Sequence, residues 1–392
     1  MLRTAQFIDT YFPVIDGVIR TVYNYAYYLN EQTDYCCVFA PRYKGYKDDD
    51  SPFDVFRTAG LKIPFIGYSY SMPKLSKAAY DVIKTKDFDL FHAHSPFQMG
   101  YYALSMGHKM EIPVVATFHS KYYDDFKRVT KSEVMAQLVV DTIVKFYEKV
   151  DSVWSVNRGT AGTLRDYGYK GDIFVINNGT DMVYPDDADK LIEEARSRFG
   201  LPEDKKLILF TGHLIWQKNL KLILDTIKLL AGARQDFLMV FVGTGYNEKE
   251  IKKYAEELEL EPYVRFLGQI EDRKLLQGMY GAATLFFFPS VYDNAPLVVR
   301  EAAVMKLPSL LADDANAAEG VEDGSNGFTA PPEPEAMFAK LNALLDDLPA
   351  LKLAGERASE TIPIPWEKLV SEVAVQYMRI CAEYKLKHKS GE

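Results

Sequence analysis

Cysteine and histidine are scarce in this sequence, and their scarcity excludes several kinds of site. Among 392 residues there are three cysteines and six histidines. Cys36 and Cys37 are adjacent and Cys381 is distant, so the sequence has neither a disulfide framework nor the spacing of a zinc site. We therefore expect the protein to occupy a reducing compartment.

Long apolar runs and a basic excess are missing as well. No run approaches the length that spans a membrane, and the N-terminal segment reaches Asp9 too soon to form the core of a signal peptide. The net charge is −9, and because residues 1–181 carry 21 basic and 21 acidic residues, the whole deficit lies in the remainder. We expect a cytoplasmic protein that does not bind nucleic acid, since phosphate binding needs a basic surface.

Short apolar runs alternate with helical patterns along the chain, and this alternation predicts an α/β fold with parallel sheets. The length favours two domains. We predict doubly wound domains at residues 1–181 and 182–365, with a linker within Met182–Asp189. Residues 366–392 are predicted to form a terminal amphipathic helix.

The segment Leu285–Leu311 points most directly to a ligand. It opens with the apolar run Leu285–Phe288, which Pro289 ends, and this predicts a strand buried on both faces of a parallel sheet. The chain should therefore leave the carboxyl edge of the sheet at Ser290, where ligands usually bind in such folds.

A helix start is predicted directly after that strand. Asp293 or Asn294 would cap the helix, and Pro296 would occupy its first turn. The N–H groups of Ala295–Val298 would then face the carboxyl edge, and Glu301, two turns further on, could reach the same crevice. Two carboxylates and a set of amides suit a polyhydroxylated ligand such as a nucleotide sugar. An ordinary capped helix with a solvated glutamate is the open alternative.

Three histidines stand at predicted strand ends. FDLFHAH ends one strand with His92 and His94, and VVATFH ends another with His119. His92 and His94 alternate onto one strand face, but without a third ligand a structural role is favoured over a metal site. His119 is better placed for chemistry, because it follows the carboxyl end of its strand.

Several short segments, taken together and in order, resemble the family 4 glycosyltransferases of GT-B architecture. They are FPVIDGVIRTVYNYAYYL, FHAHSP, TFHS, INNGTD, TGHLIWQKN, FVGTGY, VRFLGQI, the Leu285–Leu311 segment and VEDGSNGF. The resemblance covers nearly the whole chain and extends to the diacylglycerol glucosyltransferase-like branch. It implies two Rossmann-like domains, the first binding the acceptor and the second the nucleotide sugar, with the active site in the cleft between them. It also implies a last helix that crosses back to the first domain, and transfer with retention of anomeric configuration.

The same resemblance implies roles for individual residues. Asp293 and Glu301 match a pair of family glutamates that contact the hydroxyls of the donor sugar and of the ribose. His213 and Lys218 match the arginine and lysine that neutralise the diphosphate, and His119 matches the histidine beside the transferred sugar. The catalytic residues implied are His119, Lys218 and Asp293. The donor-binding residues implied are Gly17, Gly212, His213, Lys218, Gly268, Gln269, Ile270, Asp293, Asn294, Ala295, Pro296, Leu297, Val298 and Glu301.

Two of these residues depart from the family pattern. His213 lacks the planar, always-charged fork of arginine, and Asp293 is one methylene shorter than glutamate. No metal or other cofactor is expected, because Lys218, a protonated His213 and amide dipoles can stabilise the leaving diphosphate. UDP-glucose or UDP-galactose is the expected donor. The departures keep two alternatives open: a non-catalytic GT-B protein that binds nucleotide sugar, and a sugar-nucleotide epimerase of similar fold.

The acceptor is predicted from two segments of the first domain. Leu61–Leu75 is aromatic and free of acidic residues, and Thr117–Lys131 mixes basic side chains with the rings of Tyr122, Tyr123 and Phe126. Both suit peripheral contact with an anionic membrane, so we expect diacylglycerol or a glycolipid as the acceptor. The alternative is that these side chains pack within the domain, and then a soluble sugar or small alcohol is the acceptor.

Overall fold

The chain forms two compact units, each built around its own parallel sheet. The structure is a computed structural model and describes residues 2–62 and 69–390. Unit 1 consists of Met1–Gly179 and Pro365–Glu392, and unit 2 consists of Thr180–Ile364. The predicted linker segment is therefore in unit 2, where Met182 is buried in the core.

Strands and helices alternate through most of the chain. The strands of unit 1 are β1 (Arg3–Phe7), β2 (Tyr35–Pro41), β3 (Val55–Thr58), β4 (Gly60–Lys62), β5 (Ser69–Ser71), β6 (Leu90–Ala93), β7 (Val114–Phe118), β8 (Ser152–Ser155) and β9 (Ile173–Val175). Those of unit 2 are β10 (Lys206–Thr211), β11 (Phe237–Val242), β12 (Val264–Gly268), β13 (Leu285–Phe288), β14 (Ser309–Ala312) and β15 (Phe328–Ala330).

The α-helices cover both faces of these sheets, as in other α/β folds. In unit 1 they are α1 (Gly17–Gln32), α2 (Lys77–Thr85), α3 (Gln98–Met110), α4 (Tyr122–Thr130), α5 (Glu133–Tyr147) and α6 (Arg158–Asp166). In unit 2 they are α7 (Ala188–Phe199), α8 (Leu220–Ala233), α9 (Glu248–Glu257), α10 (Arg273–Ala282), α11 (Leu297–Val304), α12 (Pro334–Asp346) and α13 (Leu348–Thr361). The chain then returns to unit 1 as α14 (Trp366–Ser390).

Each main sheet has a switch point at which the strand order reverses. In the described part of unit 1 the sheet runs β3-β2-β1-β6-β7-β8-β9, and β4 and β5 form a separate antiparallel pair. Unit 2, described throughout, has the order β12-β11-β10-β13-β14-β15. The switch points therefore lie between β1 and β6 and between β10 and β13, where crevices for ligands open at the carboxyl edge.

The two faces of the sheet in unit 1 differ in polarity. One face contributes apolar side chains such as Phe7, Phe91 and Phe118 to the core. Because side chains alternate along a strand, the other face carries a different set. That set includes the buried polar residues Thr4, Gln6, His92, His94 and Thr117.

Helix α14 packs beside α1 within unit 1. Its Trp366 ring lies 6.0 Å from the ring of Tyr25, and its Tyr377 stacks at 5.4 Å on Trp154. A Cβ on Gly179 would lie 2.5 Å from Cδ2 of Trp366, so only glycine allows this approach. The last helix is therefore part of the packed interior of unit 1.

The predicted strand at Leu285–Phe288 is confirmed. All four residues are buried, and the strand pairs in parallel with β10 and β14. The short helices α2 and α6 and the pair β4–β5 were not predicted, since elements of this length give few repeats of any period. The longer helices α3, α7, α12 and α13 were not predicted individually either. Residues 63–68 of the predicted Leu61–Leu75 acceptor surface lie outside the described residues. Within the described part of the chain, no helix combines the length and the hydropathy needed to cross a bilayer.

Candidate active site

Three glycines line the carboxyl edge of the sheet in unit 2. Gly212, Gly243 and Gly268 lie at the ends of β10, β11 and β12, with φ of 153°, 132° and 74°. The N–H of Gly212 donates to the carbonyl of Val242 at 3.0 Å, and the N–H of Gly243 donates to that of Gly268 at 2.7 Å. A Cβ on Gly243 would lie 2.0 Å from the carbonyl oxygen of Gly212. The loops after these strands can lie this close only because they carry glycine.

Lys218 and Asp293 meet at the switch point of unit 2. Lys218 ends the 3-10 turn Trp216–Lys218 in the loop after β10, and Asp293 lies in the loop after β13. Nζ of the lysine is 2.5 Å from Oδ1 of the aspartate, and the hydroxyl of Ser290 donates to Oδ2 at 2.6 Å. The two side chains are 12% and 17% exposed. Two predicted catalytic residues thus form one largely buried ion pair, in which the attraction is stronger than in water.

Asn219 joins the two loops that carry this pair. It adopts φ of 61°, and its side-chain amide donates to the carbonyl of Pro289 at 3.1 Å. Nζ of Lys218 also lies 5.3 Å from the centre of the Phe288 ring, a cation–π distance. The lysine is therefore oriented by a carboxylate, a ring and a turn.

Helix α11 begins later than predicted and is not capped by Asp293 or Asn294. Its N-cap is Pro296, which has extended backbone and no capping side chain, and Leu297 is its first residue. The predicted cap is wrong because the carboxylate of Asp293 pairs with Lys218 instead. The backbone N–H groups without partners inside the helix are those of the first turn, which starts with Leu297 and Val298.

Glu301 is buried and has two partners on α10. It is 8% exposed, and its carboxylate accepts from Nη1 of Arg273 and from the hydroxyl of Tyr280, both at 2.9 Å. Burial, with the Glu301 carboxylate, raises the pKa of Tyr280 well above its ordinary value, so the phenol keeps its proton. Arg273 also reaches Asp181 with Nη2 at 2.7 Å. An ionised carboxylate offers about four acceptor positions, which leaves Glu301 capacity for a diol.

Arg273, Tyr280 and Asp181 were missed by sequence reasoning. Arg273 lies 28 positions before Glu301, and no local pattern joins them. The available signal is chemical, because a carboxylate buried on a helix requires a cation or several donors. The sequence does not say which cation that is.

The other predicted donor-binding residues of unit 2 lie in loops at the same sheet edge. His213 is exposed in the loop after β10, and Gln269 is exposed after β12. Ile270, Asn294 and Ala295 are half-buried. The donor-binding roles of these residues stay predictions.

Gly17 is the first residue of α1 rather than part of a loop. Asp16 caps the helix by accepting from the N–H of Ile19 at 2.8 Å. The φ of Gly17 is not positive, so its backbone conformation does not require glycine. Among the described residues, no atom lies within 4 Å of a Cβ built at Gly17, so this helix start has open space beside it.

His119 lies at the carboxyl end of β7 beside two other buried imidazoles. It is 7% exposed, and its Nε2 is 3.1 Å from Nδ1 of His94. His92 has the hydroxyls of Thr117, 2.7 Å from Nε2, and Tyr377 as partners. Burial lowers the pKa of His119 to about 3, and burial with the neighbouring imidazoles lowers the pKa of His92 and His94 well below the ordinary value. All three rings are therefore neutral near pH 7.

A metal site at these histidines finds no support in the described part of the chain. No group of three or more His, Cys, Asp or Glu side chains there could hold a metal ion. His92 and His94 instead stack with ring centres 4.1 Å apart.

Asp9 is a half-buried residue at the switch point of unit 1. Its oxygens accept from the hydroxyl of Ser95 at 2.6 Å and from the N–H of Met99 at 3.1 Å. Burial raises its pKa to about 6. Phe97, the N-cap residue of α3, makes no side-chain capping bond, so Asp9 caps that helix from the loop after β1.

Two of the α4 rings in the predicted membrane segment, Tyr122 and Phe126, pack within unit 1, and contact with a membrane stays a prediction. Tyr122 is buried, and its ring lies 5.4 Å from that of Phe97. Phe126 packs against the same ring at 6.1 Å. Tyr123 is half-buried, and its N–H donates to the hydroxyl of Tyr167 at 2.9 Å.

The exposed apolar side chains of α4 and α5 are aliphatic, and the sequence did not single them out. They are 48% to 70% exposed and lie next to exposed basic residues. We call this set the α4–α5 surface: Lys127, Arg128, Val129, Lys131, Val134, Met135 and Leu138.

Comparison with known proteins identifies the class. Residues 15–183 match the model of Glycosyltransferase Family 4, and residues 192–361 match that of Glycosyl transferases group 1. The chain is 24% identical over 315 residues to the alpha-monoglucosyldiacylglycerol synthase of Streptococcus pneumoniae, covering 78% of this chain and 70% of the relative. It is 21% identical over 393 residues to a GDP-mannose-dependent alpha-mannosyltransferase of Corynebacterium glutamicum, covering 97% and 90%. Anabaena HepE in complex with UDP and glucose has the same fold, with a TM-score of 0.74 at 18% identity over 95% of this chain and 98% of that chain.

The chain belongs to glycosyltransferase family 4, since the two family models together span most of it. The predicted family, the α/β GT-B fold with two Rossmann-like domains and the hexosyltransferase activity are thereby confirmed. This activity displaces the epimerase and the non-catalytic protein as alternatives. The protein is a glycosyltransferase that binds a nucleotide sugar.

Proposed function

We propose that this enzyme transfers glucose or galactose from a UDP-linked donor to diacylglycerol or a glycosylated diacylglycerol, with retention of configuration. The Lys218–Asp293 ion pair at the switch point of unit 2 is the observation that carries the donor half of this proposal. The pair places a cation and a hydroxyl-binding carboxylate 2.5 Å apart at the edge where ligands bind.

Lys218 acts on the diphosphate and Asp293 on the sugar. Transfer breaks the bond between C1 of the sugar and the diphosphate oxygen and joins C1 to the acceptor oxygen. The bonding electrons and the acceptor proton pass to the leaving diphosphate. Lys218 faces the charge that grows there, while Asp293 accepts from donor hydroxyls. With amide dipoles and a protonated His213, Lys218 supplies the positive charge that a divalent cation supplies in other transferases.

Glu301 binds the nucleoside half of the donor. Its two protein partners, Arg273 and Tyr280, hold the carboxylate in one orientation. The free acceptor positions then receive the two hydroxyls of a ribose. The loop Gly268–Ile270, at the end of β12, contacts the base.

The α4–α5 surface holds the enzyme on an anionic leaflet that supplies the acceptor. Basic residues close to such a leaflet contribute roughly 1 kcal/mol each, and buried aliphatic side chains add to this. Lys127 and Arg128 are paired with Glu133 at 2.6 Å and Asp125 at 3.5 Å, so their contribution is smaller than that of Lys131. The name of the Streptococcus pneumoniae relative supports a diacylglycerol-based acceptor.

A donor-by-acceptor screen tests the chemistry. UDP-glucose, UDP-galactose and GDP-mannose are each offered with dispersed diacylglycerol, monoglucosyldiacylglycerol or a soluble alcohol, and nucleoside diphosphate release is measured. We expect release from a UDP-hexose only when a lipid acceptor is present. GDP-mannose turnover, or transfer to the soluble alcohol alone, would contradict the proposal.

Sedimentation with vesicles tests the membrane surface. The protein should sediment with vesicles containing an anionic phospholipid at low salt and be released at high salt. The double variant Val134→Ser/Leu138→Ser should bind less. The matched control is Leu353→Ser, which changes an exposed leucine of unit 2. Equal binding by the double variant and the control would show that another surface is used.

A further inference from the structure

A cavity of about 830 Å³ opens beside β3, an edge strand of the described unit 1 sheet. It is lined by the loop that joins β2 to β3, together with Val55 and Arg57 of β3 itself. Strands β2 and β1 lie between it and the switch point of this sheet. Because its volume is that of an ordinary small-molecule site, the cavity is a candidate site apart from the crevice at the switch point.

Arg57 holds the lining loop in place. Its Nε and Nη2 donate to the two carboxylate oxygens of Asp48 at 2.8 and 2.6 Å. Its Nη1 donates to the carbonyl of Pro41 at 2.8 Å, and its Nη2 also donates to that of Phe12, in the loop after β1, at 2.9 Å. The side chains of Arg57 and Asp48 are only 12% and 16% exposed. These bonds fix the lining in one shape, which lowers the entropy cost of binding a ligand.

The ion pair of Arg57 and Asp48 keeps spare hydrogen-bonding capacity on both sides. Asp48, Pro41 and Phe12 use all but one of the N–H donors of the guanidinium. The remaining donor, on Nη1, has no acceptor among the described residues. A carboxylate has about four acceptor positions, and Arg57 occupies only part of those on Asp48. A donor beside free acceptor positions matches hydroxyl groups, each of which both donates and accepts.

The charges around the cavity nearly cancel. The basic residues of its lining are Arg42, Lys44, Lys47 and Arg57, and the acidic ones are Asp48, Asp49 and Asp54. A phosphate would lie among three carboxylates, and a metal ion would lie among four cationic side chains. A neutral ligand therefore fits this lining better than an ion of either sign.

Tyr46 adds an aromatic ring to the cavity. The residue is 38% exposed, and the guanidinium of Arg57 lies 5.4 Å from the centre of its ring, a cation–π distance. A ring of this kind packs against the C–H groups of a sugar, while a few polar groups bind the sugar hydroxyls. We propose that the cavity binds a neutral glycosyl group, with its hydroxyls on the Arg57–Asp48 pair and its ring against Tyr46. A glycolipid headgroup and a soluble sugar both carry such a group.

Saturation-transfer difference NMR of the full chain with methyl α-glucoside or methyl α-galactoside tests the site. No nucleotide sugar is present, so a failure of the proposed transfer reaction leaves this result standing. We expect saturation transfer to the ring hydrogens of the sugar.

Variants of Tyr46 locate the bound sugar. Tyr46→Ala should weaken the affinity about fivefold because the aromatic face is lost, whereas Tyr46→Phe keeps the ring and should bind like the wild type. Tyr184→Ala is the matched control, because Tyr184 is a tyrosine of unit 2 that is 45% exposed and has Nζ of Lys306 4.8 Å from its ring centre.

Asp48→Asn tests the hydrogen-bonding half of the site. It should weaken the affinity about tenfold, because an amide replaces the carboxylate that accepts from the sugar hydroxyls. Asp50→Asn, at an exposed position outside the lining, should bind like the wild type. If Asp48→Asn loosens the loop, the exposed position of Tyr46 still decides the question.

The absence of saturation transfer to either sugar, or equal affinities in Tyr46→Ala and Tyr184→Ala, would overturn the proposal. Tighter binding of glucose 6-phosphate than of the neutral sugars would also overturn it, because the cavity would then be an anion site.

Nanodiscs of neutral phospholipid distinguish the two sources of the glycosyl group. If monoglucosyldiacylglycerol binds the wild type more tightly than diacylglycerol does, and Tyr46→Ala removes the difference, the group comes from a glycolipid. Equal binding of the two nanodiscs, with the sugar bound in solution, assigns the site to a soluble sugar.

Discussion

The two switch points of this protein have opposite electrostatic character. In unit 2 the carboxyl edge carries ion pairs, Lys218 with Asp293 and Arg273 with Glu301. The corresponding edge of unit 1 carries neutral, buried imidazoles and Asp9, whose pKa burial raises to about 6.

This difference matches the two halves of a glycosyl transfer. In the proposed reaction a nucleoside diphosphate leaves with growing negative charge and needs a cation beside it, and Lys218 of unit 2 is the cation we propose. Sugar and acceptor hydroxyls are neutral, and hydrogen-bonding groups of defined direction suit them better. Changes of pH and single substitutions test the two edges separately.

We expect the largest effect from acidification, which should lower the free energy of unfolding of unit 1. The histidines of the unfolded chain become protonated below about pH 6.5, whereas the buried rings of the folded chain stay neutral. Their contribution to the free energy of unfolding is therefore fully present above that pH and is lost as the pH drops. Below that pH, each of the three buried imidazoles lowers the free energy of unfolding by on the order of 1.4 kcal/mol per pH unit. Asp9 has the opposite effect between about pH 6 and 3.8, because only the folded chain binds a proton there. It offsets the effect of one imidazole.

Denaturant titrations from pH 7 to 4.5 measure this effect. Trp154 and Trp366 are in unit 1, and Trp216 is in unit 2. Fluorescence of Trp216→Phe therefore reports on unit 1 alone. His108→Gln, at an exposed site on α3, is the control and should keep the same pH dependence. A midpoint that does not move between pH 7 and 5 would contradict the burial of neutral rings.

Lys218→Ala should give the next largest effect. The lysine opposes charge that appears as the bond breaks, so turnover should fall by about 2 kcal/mol or more, roughly 30-fold, and donor binding should weaken less. Lys221→Ala, three residues further on, removes an exposed lysine paired with Asp225 and should leave turnover unchanged. Wild-type turnover in Lys218→Ala would sink the assignment.

Glu301→Gln should weaken binding of UDP even when no sugar is attached. The amide keeps the shape of the side chain but loses the charge that orders Arg273 and an acceptor for the ribose, so we expect about a tenfold loss of affinity, roughly 1.4 kcal/mol. Calorimetry with UDP measures it. Asp323→Asn, which disturbs a half-exposed pair with Lys340, is the control. Equal affinity in the Glu301 variant and the control would remove the ribose role.

His213→Arg should have the smallest effect, on the shape of the pH profile. If a protonated imidazole helps to neutralise the diphosphate, wild-type turnover should fall as the pH rises through the range in which imidazole ordinarily loses its proton, around 6.5. Arginine stays charged there, so the variant should have a flat profile. Two profiles of the same shape would mean that His213 does not act as a cation.

The α/β class and some of the elements could be predicted from the sequence alone. The apolar run Leu285–Phe288 is a strand with the predicted bounds. The order of short motifs was enough to identify the family. These features are local, because periodicity and turn residues act over a few positions.

Which side chains meet depends on the tertiary fold. Strand order places Gln6 beside His94, 88 positions away, and the packing of α10 gives Glu301 its arginine. On α4 the rings of Tyr122 and Phe126 pack against Phe97, and the aliphatic Val129 is exposed. A sequence shows that a strand or a helix has a face to bury, but the partner that covers it comes from distant chain. Contacts of this kind are fixed only when the crossovers and the sheet order are known.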